Sequence, residues 1–209
     1  MGFLAAIKKI FQPSHKEKDN NSPALQDDAP PAEVYRAGIE AQRAEKDHFF
    51  KHSPYSPFTE RSNFSGLNYY PPNPAFRYEL PLQKVDDPNL LTLQTNTGDE
   101  QNFHRLGTVS FEVDGETAQL AVYRSVDHGG LFVPFRDATS GHETYGAGRY
   151  LEPEAWGNDI LLVDFNLAYN PYCAYSQDYS CPLPPFENHL TTVSIRAGEK
   201  AYKTNDSPL

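Results

Sequence analysis

The sequence predicts a mainly β protein, an antiparallel barrel or sandwich of about eight strands with one N-terminal helix packed on it. Short segments rich in β-branched and aromatic residues follow one another from residue 77 onward and are separated by turn residues. Eighteen prolines and thirteen glycines disfavour long helices over most of the chain. Many short strands at close spacing, with few helices, favour antiparallel pairing.

The chain begins with an amphipathic pattern over residues 1–11, MGFLAAIKKIF. On a helix its apolar residues form one stripe beside Lys8 and Lys9. Because an isolated helix this short is marginal in water, it needs a surface to lie on. We therefore predict a docking helix for a membrane surface or a partner protein, which would make the protein a non-catalytic adaptor or assembly subunit. The alternatives are a frayed terminus and a helix packed on its own domain.

Residues 12–32 are polar, contain proline and lack periodicity, which predicts a disordered linker. A helix is predicted over residues 32–51, where a partly apolar stripe alternates with charged residues. It ends before the prolines at positions 54 and 57, because proline cannot continue a helix. Residues 33–203 are predicted to form a single β-rich domain, followed by a tail over residues 204–209.

The clearest strand signal is a hairpin around Asp114 and Gly115, a dipeptide that tolerates positive φ between two alternating segments. The alternation predicts that Val109, Phe111 and Val113 face inward. The predicted strands cover residues 77–82, 90–95, 103–113, 116–124, 131–136, 148–152, 160–166 and 191–196.

The formal net charge of −10 argues against nucleic acid as a partner, because phosphate contacts need a basic face. No apolar run approaches the length of about 18 residues that spans a membrane. The N-terminus also lacks the apolar core of a secretory signal. We therefore expect a cytoplasmic protein, peripheral to a membrane if residues 1–11 dock there. No cofactor is predicted.

Residues 131–200 carry the features of a polar site, namely both cysteines, the single tryptophan and many tyrosines and asparagines between strand-like segments. We predict a polar-aromatic pocket for a small molecule, built from residues 136–189, in a domain that binds or converts it. In this hypothesis Arg149 anchors an anion, and Tyr145 and neighbouring asparagines orient the ligand. No catalytic signature is present, so no reaction is predicted and an enzymatic role stays open.

A structural role is the alternative for the most prominent charged residues of this region. Arg149 and Asp164 lie at the edges of strands expected to be neighbours through the turn at residues 156–159. A buried pair between them would pin two strands together, and breaking it from one side would cost about 3–5 kcal/mol.

Cys173 and Cys181, the two cysteines, are separated by seven residues. They suit a disulfide, a dithiol switch, a pair of buried apolar residues or half of a metal site. His189 lies eight residues further on, with His142 or Asp164 as a possible fourth ligand. Structural zinc sites use much tighter cysteine pairs, so no metal is predicted.

Five sequence runs, FRDATSG, ETYGAGRYL, DFNLAYNP, CPLPP and RAGEK, occur in this order. They resemble the prokaryotic domain-of-unknown-function family 1684, and the likeness covers roughly residues 34–202. The resemblance implies no activity. It implies that the family's motif positions include Gly148, Cys173 and Cys181 together with the ligand-binding candidates. These candidates are Arg136, Asp137, Tyr145, Arg149, Asp164, Asn166, Tyr169, Asn170 and Asn188.

Overall fold

The computed structural model of the chain describes residues 31–58 and 60–202. The segment predicted to dock, residues 1–11, lies outside the described residues. So do nearly all of the linker, residues 12–32, and the tail, residues 204–209.

The described chain is mainly β, with one long helix, α1 (Ala32–His52), and five single-turn 3₁₀ helices. Its strands are β1 (Arg77–Pro81), β2 (Gln83–Lys84), β3 (Leu90–Gln94), β4 (Glu100–Val113), β5 (Glu116–Ser125), β6 (Leu131–Asp137), β7 (Arg149–Leu151), β8 (Glu154–Ala155), β9 (Ile160–Asp164) and β10 (His189–Leu190).

The predicted N-terminal helix is confirmed, and α1 ends one residue beyond the expected position. The helix stops at Ser53, whose backbone is extended and whose N–H donates to Phe49 O at 2.8 Å. Its buried residues, Ile39, Lys46 and Phe50, recur at helical spacing and form the face that packs on the rest of the domain. None of the described helices is both long enough and apolar enough to cross a membrane.

The strands form two sheets. The smaller one has the order β1–β9–β8 and is antiparallel. The larger one has seven strands, with the path β10–β6–β5–β4–β2, while β3 pairs with β4 and β7 pairs with β6. The short pair β10–β6 is parallel, and the other pairs within the described residues are antiparallel.

The predicted hairpin joins β4 to β5. Asp114 and Gly115 have φ values of 52° and 83°, as a tight turn with both central residues in the left-handed region requires. Val109, Phe111 and Val113 are buried and the intervening Glu112 is exposed, so the predicted inward face is confirmed.

The main apolar core contains side chains from both sheets. Phe165, which directly follows β9, is fully buried at its centre. Its ring lies 5.1 Å from the ring of Phe111 on β4, 5.6 Å from Phe135 on β6 and 6.1 Å from Tyr78 on β1. The prediction of a mainly β, largely antiparallel fold is confirmed, and the described strands do not close into a barrel.

The prediction of a strand over residues 191–196 is wrong, because the backbone there is irregular. Val193 and Ile195 are buried, as the alternation suggested, but their backbone groups are not paired in a ladder. Val193 O accepts the N–H of Ala138 at 2.9 Å, and Ile195 O accepts the Arg149 guanidinium at 2.8 Å. An isolated backbone N–H and a side chain thus take the place of a neighbouring strand as hydrogen-bond partners.

The backbone at Gly198 packs closely against two carbonyl groups, which gives a testable prediction. It has φ +76°, and a Cβ there would lie 2.5 Å from Ala168 O and 2.7 Å from Phe165 O. Gly129 has a similar φ of +68°, and apart from its chain neighbours no atom of the described residues lies within 4 Å of where its Cβ would be. We expect Gly129→Ala to lower the free energy of unfolding by about 1 kcal/mol and Gly198→Ala by about 2–4 kcal/mol, measured by urea unfolding. Equal losses would show that the close carbonyls have no effect.

Candidate functional site

Two asparagines among the ligand-binding candidates are buried and bind backbone groups. Asn188 accepts the N–H of Ala121 at 2.7 Å and donates to Ala121 O and Pro134 O at 3.0 and 2.8 Å. Asn166 accepts the N–H of Asn73 at 2.7 Å and donates to its carbonyl at 2.8 Å. Each amide therefore fixes a loop to a neighbouring segment.

Arg149 is fully buried, and its guanidinium binds the irregular segment that follows β10. It donates to Ile195 O at 2.8 Å, Ala197 O at 2.5 Å and Glu199 O at 3.1 Å. Its nearest carboxylate is Asp137, with 3.5 Å between Nη2 and Oδ1. Burial lowers the pKa of Arg149, and the charge of Asp137 partly opposes that effect.

The predicted ion pair between Arg149 and Asp164 is therefore wrong. Arg149 lies on β7, which pairs with β6 in the larger sheet, whereas Asp164 lies on β9 in the smaller one. The turn at residues 156–159 joins β8 to β9, so it does not bring β7 next to β9.

Asp137 is buried and already well supplied with donors. Its carboxylate accepts the Thr139 hydroxyl at 2.9 Å, the Ser140 hydroxyl at 3.3 Å and the N–H of Ile195 at 2.6 Å. Arg136, the next residue back on β6, is exposed. The two residues adjoin in sequence but lie in different environments.

Gly148 allows its backbone to pack closely against a neighbouring strand and loop. A Cβ at Gly148 would lie 2.6 Å from Phe135 O and 2.7 Å from Pro184 Cγ. Its backbone therefore approaches a neighbouring strand and loop. Tyr145, three residues earlier, is partly buried and donates its hydroxyl to Cys173 Sγ at 3.8 Å.

A second buried polar centre joins α1 to the C-terminal segment. Lys46 Nζ forms an ion pair with Glu199 Oε1, and both side chains are almost completely buried. The other carboxylate oxygen of Glu199 accepts the N–H of Asn170 at 2.8 Å and the Tyr175 hydroxyl at 2.5 Å. The ring of Tyr169 lies 5.1 Å from Lys46 Nζ. Tyr169 and Asn170 thus belong to this centre, which the sequence hypothesis did not include.

An open cavity of about 310 Å³ lies between α1 and the strands β7 to β9. We call it the α1 groove. Of the nine ligand-binding candidates only Asp164 lines it. The groove is lined by Val34, Tyr35, Gly38, Ile39, Gln42, Leu151, Glu152, Glu154, Leu162, Asp164 and Leu167.

The apolar part of the groove depends on a glycine in the middle of α1. Apart from the nearby backbone of α1 itself, no atom of the described residues lies within 4 Å of the position that a Cβ of Gly38 would occupy. A glycine in a helix interior costs about 1 kcal/mol relative to alanine. Here the absent side chain leaves open space opposite the aliphatic side chains of Leu151 and Leu162.

The polar part of the groove contains a tyrosine and three carboxylic acids. The Tyr35 hydroxyl donates to both oxygens of Asp164, at 2.9 and 2.8 Å. Burial raises the pKa of Tyr35, and the nearby Asp164 raises it further, so this hydroxyl remains a donor. Burial also raises the pKa of Asp164, against the hydrogen bonds from Asn166 and Tyr35. Glu152 accepts the Tyr169 hydroxyl at 2.6 Å, and Glu154 follows two residues later.

The family model for proteins of unknown function designated DUF1684 matches residues 62–200, two thirds of the chain. The chain belongs to the DUF1684 family. The resemblance carried by the five sequence runs is thereby confirmed. The solution NMR structure of an uncharacterized protein from Haloarcula marismortui is also similar, with 41% sequence identity and a TM-score of 0.61. The similarity covers 80% of this chain and 95% of the Haloarcula protein. No curated protein matches this chain.

The DUF1684 match includes one wall of the α1 groove and leaves out the other. Glu152, Glu154 and Asp164 lie within the matched residues, whereas Tyr35 and Gly38 on α1 precede them. The groove of this DUF1684 protein therefore combines family residues with a helix outside the matched region.

Sequence reasoning missed most of the groove. Glu152 and Glu154 flank Pro153 directly after a strand, and a spacing of two places both on the same side of extended backbone. That signal was available in the sequence. The sequence could not show that Tyr35 lies against Asp164, 129 residues away, because that contact depends on how α1 docks on the smaller sheet.

Proposed function

We propose that this DUF1684 protein binds a small molecule with a cationic head and an apolar body in the α1 groove. The observation that carries the proposal is an open cavity with aliphatic walls and the carboxylates of Glu152 and Asp164, in which none of the described lining residues is basic. Its volume of about 310 Å³ is at the lower end of the range of small-molecule sites, about 300–1,000 Å³.

The position of the carboxylates supports a cationic ligand. Glu152 is held by the Tyr169 hydroxyl, which restricts its rotamers and orients the carboxylate at the groove wall. Asp164 has its oxygens occupied by Tyr35 and Asn166, so it supplies negative potential more than a direct contact. A charge near a partly buried carboxylate interacts more strongly than in bulk water, because the effective dielectric constant is lower.

Binding is better supported than covalent catalysis. The described residues that line the groove include no serine, threonine, cysteine, lysine or histidine to act as a nucleophile. The carboxylates of Asp164 and Glu152 could attack a substrate only after giving up hydrogen bonds from Tyr35 and Tyr169. The pocket predicted from residues 136–189 would bind an anion through Arg149. That residue is fully buried and bound to three carbonyls, so the α1 groove supports a ligand site better.

Phenethylammonium is a suitable probe, and phenylacetate is its anionic counterpart of similar size. We expect calorimetry to detect binding of phenethylammonium only, with NMR shift changes confined to α1 and β7 to β9. Glu152→Gln should weaken binding by about tenfold, because it removes a charge that faces the cation. Gly38→Leu should abolish binding, because its side chain enters the open space of the groove.

Glu112→Gln is the matched control, since it removes the same charge from an exposed position on β4. It should leave affinity unchanged. Equal binding of phenylacetate, or shift changes that map outside the groove, would contradict the proposal. So would unchanged affinity in a folded Gly38→Leu variant.

The adaptor role predicted for residues 1–11 stays a prediction, because those residues lie outside the described part of the chain. The same is true of a membrane or protein partner and of the expected absence of nucleic-acid binding.

A further inference from the structure

The two cysteines lie next to each other, at the junction between the segment after β9 and the end of β3. Both thiols are free. The N–H of Cys173 donates to Cys181 Sγ at 3.4 Å. The sulfur of Cys181 is therefore in contact with the backbone of Cys173, and the two side chains are neighbours.

The two cysteines differ in their hydrogen-bond partners and in their exposure. Cys181 is held on both sides of its backbone by Asn96, whose Oδ1 accepts its N–H at 2.7 Å and whose N–H donates to its carbonyl at 3.0 Å. Cys173 is partly exposed and lies in a single-turn helix, and the Tyr145 hydroxyl donates to its sulfur at 3.8 Å. Cys181 is therefore fixed, while Cys173 belongs to the more accessible segment.

Hydrogen bonding also distinguishes the two sulfurs. The neighbouring Cys173, through its thiol and its backbone N–H, lowers the pKa of Cys181 against the effect of burial. The pKa of Cys173 is raised, first by this interaction and then by burial. A thiolate is the nucleophile in cysteine oxidation, and the backbone N–H that donates to Cys181 Sγ at 3.4 Å stabilises that thiolate, so Cys181 is the better nucleophile of the pair.

A metal site does not account for the pair. Among the residues that the structure describes, no group of three or more histidine, cysteine, aspartate and glutamate side chains is placed to hold a metal ion. His189, the additional ligand considered from the sequence, bonds through Nε2 to Pro184 O at 3.1 Å. Two neighbouring thiols without further ligands suit two-electron oxidation.

We propose that Cys173 and Cys181 form a dithiol site that hydroperoxides oxidise to a disulfide. Cys181 reacts with the hydroperoxide first, and Cys173 is the resolving thiol. In the first step the Cys181 sulfur attacks the terminal peroxide oxygen. An S–O bond forms, the O–O bond breaks, and the leaving alkoxide or hydroxide takes a proton to give an alcohol or water. In the second step the Cys173 sulfur attacks the sulfenic sulfur, and hydroxide leaves as water with the proton of Cys173. The two thiols lose two electrons, and the hydroperoxide gains them.

The test uses the full chain and hydrogen peroxide, and it is simplified because the sequence has only two cysteines. We expect the number of titratable thiols to fall from two to zero and the intact mass to fall by about 2 Da, as a disulfide requires. Dithiothreitol should restore both thiols. The product should remain monomeric on a non-reducing gel, because the bond closes within one chain. Two thiols that persist in excess peroxide, or disulfide-linked dimers, would overturn the proposal.

Single substitutions test the two roles. In Cys173→Ser the oxidised Cys181 has no resolving thiol, so dimedone should label it as a sulfenic acid. In Cys181→Ser the remaining Cys173 should be labelled at least about tenfold more slowly, because the backbone N–H of residue 173 stabilises a thiolate at position 181 and not at position 173. Circular dichroism verifies that both variants fold. Equal labelling rates in two folded variants would contradict the assigned order of attack.

Discussion

Arg149→Met is expected to lower the free energy of unfolding by about 3–5 kcal/mol, the loss typical of removing one partner from a buried charged network. Methionine fills similar space but donates no hydrogen bond. The carbonyls of Ile195 and Ala197 lose their donor, and Asp137 remains buried without its cation. Each unsatisfied buried group adds about 1–3 kcal/mol to the cost. Urea unfolding followed by circular dichroism measures the difference.

Arg124→Met is the matched control. Arg124 also lies on a strand of the larger sheet but is exposed, so its replacement should change stability by no more than about 0.5 kcal/mol. The loss in free energy of unfolding caused by Arg149→Lys should lie between the losses caused by Arg124→Met and Arg149→Met. A single ammonium group cannot reproduce the planar guanidinium that reaches several carbonyls. A loss below about 1 kcal/mol in Arg149→Met would mean that water or rearrangement satisfies these carbonyls.

Lys46→Met is the second substitution with a large expected effect. It leaves the carboxylate of Glu199 almost fully buried without its cation, although the N–H of Asn170 and the Tyr175 hydroxyl still donate to it. The expected loss is again about 3–5 kcal/mol. Lys84→Met, which breaks the exposed pair of Lys84 and Asp159, should cost no more than about 1 kcal/mol.

A double-mutant cycle separates the ion pair from its surroundings. Glu199→Met removes the carboxylate and also deprives Asn170 and Tyr175 of an acceptor, so this single change should cost at least as much as Lys46→Met. The double variant leaves no buried charge at the pair, so its loss should be smaller than the sum of the single losses, by about 1–3 kcal/mol. Additive losses would contradict a direct coupling between the two side chains.

Much of the fold was predictable because its signals are local. Alternating burial over β4, the Asp114-Gly115 turn and the prolines after α1 each act within a few residues. The segment over residues 191–196 had the same alternation and still formed no strand. The Ile195 carbonyl accepts the Arg149 guanidinium and the Val193 carbonyl accepts the N–H of Ala138, and both donors lie more than forty residues earlier in the chain.

The candidate site was harder to predict than the fold. Polar residues in a glycine-rich region suggested a pocket, but Asn188, Asn166 and Arg149 face inward and satisfy backbone groups. A polar side chain that binds a ligand and one that binds buried backbone have the same identity in a sequence. The groove itself depends on the docking of α1, whose Tyr35 reaches Asp164 on a distant strand.

The sequence alone determined the family, the mainly β class, the position of the helix and the hairpin, since each follows from residue identity and short-range periodicity. Only the tertiary structure decided that Arg149 binds three carbonyls, that Lys46 meets Glu199 and that the open space lies beside α1. The physical reason is that buried polar groups must find partners, and distant segments supply those partners only once the sheets and the helix have packed.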